Sequence, residues 1–108
     1  MASTQIEREL AAAQAALQVG NEGKARVCAR RAAGLAAEGW LERHQDRQWS
    51  GDAMEYLRRV QQDSSFPAAV REAAERLSTP VPKQHEVPFT ADPIADAKLI
   101  IAHLTADK

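Results

Sequence analysis

Residues 21–44 constrain this chain more than any other stretch. They read Asn-Glu-Gly-Lys-Ala-Arg-Val-Cys-Ala-Arg-Arg-Ala-Ala-Gly-Leu-Ala-Ala-Glu-Gly-Trp-Leu-Glu-Arg-His. Apolar residues recur there at helical spacing on more than one side. A helix that buries most of its circumference sits at the centre of its fold. This one also carries Arg26, Arg30 and Arg31, each of which must find a partner, a cleft or an interface. On a helical wheel Ala25, Cys28, Ala29, Ala32, Leu35, Ala36, Gly39 and Trp40 cover one broad face. Val27, Gly34 and Leu41 form a second, narrow strip at heptad spacing, flanked by Arg30 and Arg31. Glycine inside a helix costs about 1 kcal/mol relative to alanine. Gly34 and Gly39 therefore make sense where another backbone comes close. The broad face suits the core. The strip suits a fifth helix or a second subunit, which makes Val27, Gly34 and Leu41 the candidate homodimer interface.

The remaining chain is consistent with one helical domain over residues 1–108. Alanine dominates an apolar fraction of 44%, so the core is expected to be thin and its helices closely packed. A net charge of −1 creates no global field toward nucleic acid or an anionic membrane. The single cysteine, Cys28, excludes an intramolecular disulfide and fits a reducing compartment. The N-terminal residues lack the basic and apolar regions of a signal peptide. No apolar run approaches the roughly 20 residues of a membrane span. The expectation is a cytoplasmic protein that does not engage membranes.

Five segments show helical periodicity, and strand-like alternation is nearly absent. The first runs from about Gln5 to Val19, with Thr4 and Glu7 at capping-box spacing and Ile6, Leu10, Ala13 and Leu17 in one stripe. Gly20 is a natural C-cap and Asn21 a natural N-cap, which predicts a tight turn into helix two, ending near Arg43. Residues 45–50 read as a polar loop around Trp49. Asp52 and Glu55 repeat the capping-box spacing ahead of Ala53, Tyr56, Leu57 and Val60. Pro67 opens a fourth helix over about 67–77, with Val70, Ala73, Ala74 and Leu77 inward. Pro80, Pro82 and Pro88 exclude regular helix from residues 78–90. Asp92-Pro93 then starts a last helix with Ile94, Ala97, Ile101 and Leu104 buried. The predicted fold is all-α, a four- to five-helix antiparallel up-down bundle with a proline-rich crossover before the last helix.

This order of helices and breaks resembles the HEPN family of small helical nucleotide-binding proteins. The resemblance rests on the first amphipathic helix, the Gly20-Asn21 turn and the Ala-rich second helix ending in an aromatic residue. It continues through Asp52-Ala-Met-Glu-Tyr-Leu, the Phe66-Pro67 break and the final helix from Ile94 to Leu104. It covers nearly the whole chain with few diagnostic letters. It implies a helical bundle, frequently dimeric. In the active members it also implies metal-independent RNA cleavage by an Arg-x4-6-His motif near the final helix. Here that motif is approached by Lys98 and His103 alone. Lysine lacks the planar fork of arginine, and the two residues lie about 140° apart around a straight helix. Ribonuclease activity is therefore not carried over by the resemblance.

Lys24, Arg26, Arg30 and Arg31, near the positive end of helix two, are the candidate anion or nucleotide site. Lys98 and His103 join them in a HEPN-type reading. The plainer reading is a solvated face with ion pairs, since Glu22 precedes Arg26 by four residues. His44, His85 and His103 lack the spacing of a metal site, and no cofactor or metal is expected. Cys28 reads as a buried, inert thiol. Trp40, Tyr56 and Phe66 read as core, whereas Trp49 in its polar loop is a candidate partner contact. Together these features point to a non-catalytic helical interaction module, a homodimer or the binder of another protein. The alternative is a nucleotide- or RNA-binding protein of HEPN type, or a degenerate ribonuclease.

Overall fold

In the computed structural model, residues 2–79 and 92–106 are described, and among these the chain forms five helices and no strand. They are α1 (Ala2–Gln18), α2 (Glu22–Arg43), α3 (Ala53–Gln62), α4 (Ala68–Ser78) and α5 (Pro93–Thr105). The expected all-helical bundle is thus what the chain adopts. The proline-rich crossover predicted for 78–90 falls, beyond Thr79, outside the described residues.

Local chemistry sets the helix ends. Gly20 takes φ +78°, its amide bonding Leu17 O at 3.0 Å while that of Asn21 bonds Ala16 O at 2.8 Å. This is a Schellman closure, which needs a residue at ease in the left-handed region. The Asn21 side chain then accepts from the Lys24 amide at 3.1 Å and starts α2. Asp52 accepts from the Glu55 amide at 3.1 Å, and Asp92 from the Ala95 amide at 3.0 Å, so both predicted caps form. Thr4, expected as the first cap, instead lies inside α1, which begins by Ala2.

Helix α2 is the axis of the molecule and packs against all four other helices. Its buried side chains go nearly all the way round, from Ala25, Cys28, Ala29, Ala32 and Ala36 to Arg26, Ala33 and Ala37. Small side chains let the neighbours come close, and larger ones from those neighbours fill the core: Leu57, Val60, Leu77, Ile100 and Leu104. Cys28 is buried against Ala13 and Ile94, where α1 and α5 meet the start of α2. Contacts at both ends of α2 give the directions. Arg30 reaches Leu77 and Thr79, whereas Trp40 meets Phe66, so α4 runs antiparallel to α2. Cys28 meets Ile94 and Arg43 meets Leu104, so α5 runs parallel to it. The helices thus form a bundle without the strict up-down alternation expected, in which α4 would run parallel to α2 and α5 antiparallel. No described helix is long and apolar enough to cross a membrane.

Candidate functional site

The arginines of α2 are engaged within the chain. Arg26 is 4% exposed and donates from Nη1 to Arg76 O at 3.4 Å. Arg30 donates from Nε to Leu77 O at 2.7 Å and from Nη2 to Thr79 O at 3.2 Å. The last carbonyls of a helix lack intrahelical donors and carry the negative end of its dipole. Two guanidinium groups from α2 therefore cap α4. Burial pushes the pKa of both downward, yet a guanidinium stays protonated in this setting. Beside them Arg76 grips Asp96, which is 7% exposed, through Nη2 at 2.9 Å and Nε at 3.3 Å. The anion met by this arginine cluster is the chain's own.

The other residues expected at an anion site are dispersed. Lys24 is exposed at the first turn of α2. Arg31 lines a groove with Glu9, Glu38 and Tyr56, and Lys98 sits beside Gln14, Leu17 and Asp92. His103 is far along α5, packed edge-on to Phe66. The six expected residues form no common site. The expected dimer strip does not stand free either. Gly34 is buried under the start of α3, where an added Cβ would lie 2.8 Å from Ala53 Cβ and 3.1 Å from Ala53 Cα. Leu41 packs against the core, and Val27 alone is exposed, at 41%. The close backbone approach expected at Gly34 is real, but it comes from within the chain. At Gly39 the nearest atom to an added Cβ is the flexible Arg43 side chain, so among the described residues no backbone approach explains that glycine.

A different constellation forms where α2 ends. Trp40, at 6% exposure, and Phe66, at 3%, have ring centroids 5.2 Å apart. His44 lies four residues after Trp40, one turn on, and stacks on its indole at 4.1 Å with 13° between planes. Its Nδ1 is 2.9 Å from Trp40 O. A carbonyl can only accept, so Nδ1 carries the proton in this bond. Trp49 stacks on the same indole at 5.3 Å, and His103 meets Phe66 edge-on at 5.5 Å. The Arg47 guanidinium stands 5.6 Å from the Trp40 ring centre, within cation–π reach.

Arg47 is held by Asp63 at 2.9 Å, Asp46, and Ser65 Oγ at 3.0 Å. Its pKa is raised, first by the hydrogen bond to Asp63 and then by that to Asp46. Burial alone would raise the Asp63 carboxyl, but the bonds from Arg47 and Ser65 outweigh it and bring its pKa down to about 2. Beside this pair lies an open cleft of about 490 Å³, floored by Trp40 and Phe66 and rimmed by His44, Arg47, Ser65 and His103. That volume suits a small ligand or one inserted side chain. Among the described residues, no group of three or more His, Cys, Asp or Glu side chains is placed to hold a metal ion.

Sequence reasoning placed Trp40 and Phe66 in the core and Trp49 at a contact, but it did not join them to Arg47, His44 and His103. The i, i+4 spacing of Trp40 and His44 was a usable local signal. The convergence of Phe66 and His103 depends on how α4 and α5 pack and had none. No protein-family model, curated protein or solved structure matches this chain.

Proposed function

We propose that this chain is a non-catalytic helical interaction module that meets its partner at the cleft bordered by Trp40, His44, Arg47, Ser65, Phe66 and His103. One observation carries the reading. Aromatic rings converge beneath an opening whose rim holds nitrogen donors, the combination that concentrates binding energy at protein contacts. The arginine cluster is a weaker candidate because its donors already satisfy α4 and Asp96. The α2 strip is weaker too, since Val27 is a single apolar side chain and a specific interface buries about 800 Å² on each partner.

A photo-crosslinking amino acid at Ser65, on the cleft rim, is expected to capture one discrete partner. A crosslinked species of twice the chain mass would identify a homodimer. The same group at exposed Arg58, which does not line the cleft, is expected to capture none. Equal capture from both positions, or capture from Arg58 alone, would overturn the reading.

A HEPN-type nucleotide- or RNA-binding role is the second reading. In its favour, a guanidinium and an imidazole stand over aromatic rings in one cleft. RNA binding that weakens with salt and is lost on His103→Ala would establish it in place of the first.

A further inference from the structure

We infer that a second copy of this chain packs on the open side of α2, antiparallel to the first, in a two-fold dimer that does not use the cleft. The burial of α2 is interrupted along one row, in which Lys24, Val27, Arg31 and Glu38 are exposed and Leu35 is half-buried. These positions lie within about 80° of one another around a helix of about 3.6 residues per turn. The row is symmetric about Arg31 in its spacing. Lys24 and Glu38 stand seven residues to either side of it, and Val27 and Leu35 stand four. Its charge is opposite at the two ends. Reversing such a row and laying it on itself sets Lys24 of each copy against Glu38 of the other, and Val27 against Leu35. A two-fold axis makes every contact twice, so a closed dimer requires self-complementarity of this kind.

Shape follows the same order. Helix α3 starts beside Gly34, so Ala53 and Tyr56 wall only the C-terminal half of the row. With Glu9 of α1 they make a groove of about 240 Å³ over Gly34 and Leu35. Val27, 41% exposed, stands on the half without that wall. In the antiparallel arrangement Val27 of each copy enters the groove of the other, a knob in a hole. Val27 alone buries too little for a specific interface, and the groove walls and the charges at both ends supply the rest.

Arg31, at the axis, meets Arg31 of the other copy. Glu9 lines the same groove as Arg31, so the centre of the dimer holds two guanidinium groups and two carboxylates. Among the described residues, the side chains of Glu9, Lys24, Arg31 and Glu38 form no ion pair or hydrogen bond within the chain. Their charges are therefore open to a partner, unlike that of Arg47, which Asp46 and Asp63 already oppose. The charge of Glu38 is felt inside the groove, where it adds to burial in pushing the Tyr56 pKa up.

Sedimentation of the full chain over a range of concentrations at low salt reads the association, and a reversible dimer is expected. Lys24→Glu and Glu38→Lys each put like charges together at both ends of the contact. Each is expected to weaken the dimer by about tenfold or more. In an equimolar mixture of the two variants opposite charges face each other again at both ends, so a heterodimer as strong as the unaltered dimer is expected. Both sites are exposed, and circular dichroism checks that the helices are unchanged. A monomer at every concentration would overturn the inference. So would a dimer that neither substitution weakens, or one that mixing fails to restore. Crosslinking from Ser65 tests the cleft separately.

Discussion

At the scale of single residues, arginine does the work in this protein that large apolar side chains do in others. An Ala-rich helix brings its neighbours close but offers them few interdigitating side chains, and its arginines reach past the alanines to carbonyl groups. Arg26 and Arg30 cap α4, and Arg43 reaches Leu104 O at 2.6 Å, near the end of α5. Arg30→Met keeps the apolar stem and removes the donors to Leu77 O and Thr79 O. A loss of about 1–2 kcal/mol is expected in urea denaturation, the scale of partly buried carbonyls losing a charged donor. Asp63 makes a second prediction. Its folded-state pKa of about 2 lies below the usual carboxylate value near 3.9. The unfolded chain therefore takes up that proton first, and the contribution is present above about pH 4 and lost as the pH falls toward 2. The urea midpoint is expected to drop between pH 5 and pH 2.5 by less in Asp63→Asn than in the unaltered chain. An equal drop would place the acid sensitivity elsewhere. Why arginine was needed was legible in the sequence, as charge on an all-round apolar helix. Its carbonyl partners were not, because they belong to α4, some 47 residues away.

At the scale of elements, structure that depends on neighbours in the chain is the most legible in the sequence. Asn21, Asp52 and Asp92 each cap a helix through a contact three residues away. The Gly20 turn closes over five residues, and the helical stripes set most of the buried faces. Gly34 shows where that kind of reading ends. The sequence showed that a backbone approaches closely, but not that the backbone is α3 of the same chain. A substitution meant to block a second subunit would instead push α3 off α2. Gly34→Ala gains about 1 kcal/mol in helix propensity, but places a methyl group 2.8 Å from Ala53 Cβ, which cannot be accommodated without movement. A net destabilisation of about 1–3 kcal/mol is expected from such overpacking. Ala53→Gly removes the opposing methyl group, so the double variant should recover much of the loss. A thermodynamic cycle on the two sites measures the coupling. Additive effects of the two substitutions would mean that the helices do not meet there.

At the scale of the whole molecule, the cleft is assembled from segments far apart in the chain, which is why no local pattern announced it. Trp40 and His44 come from the end of α2, Arg47 and Trp49 from the connection after it, Phe66 from the turn that leads into α4 and His103 from the end of α5. Charge pairs add a further closure, with Arg47 tying that connection to Asp63 and Ser65 beyond α3. Cleft and core are also continuous, since Trp40 and Phe66 are members of the same buried cluster as Ala29, Leu57, Ile100 and Leu104. A site built on the core cannot open without disturbing the packing of α2 against α4 and α5. Tryptophan emission, which reports the cleft, and far-ultraviolet circular dichroism, which reports the helices, are therefore expected to give one urea midpoint. Phe66→Ala removes the ring that links Trp40 to His103 and should lower both midpoints together, by about 3–5 kcal/mol in stability. An emission midpoint clearly below the helical one would instead mark the cleft as a separately unfolding unit. Anything bound in the cleft would then have to order the site, and affinity would be reduced by the cost of that ordering.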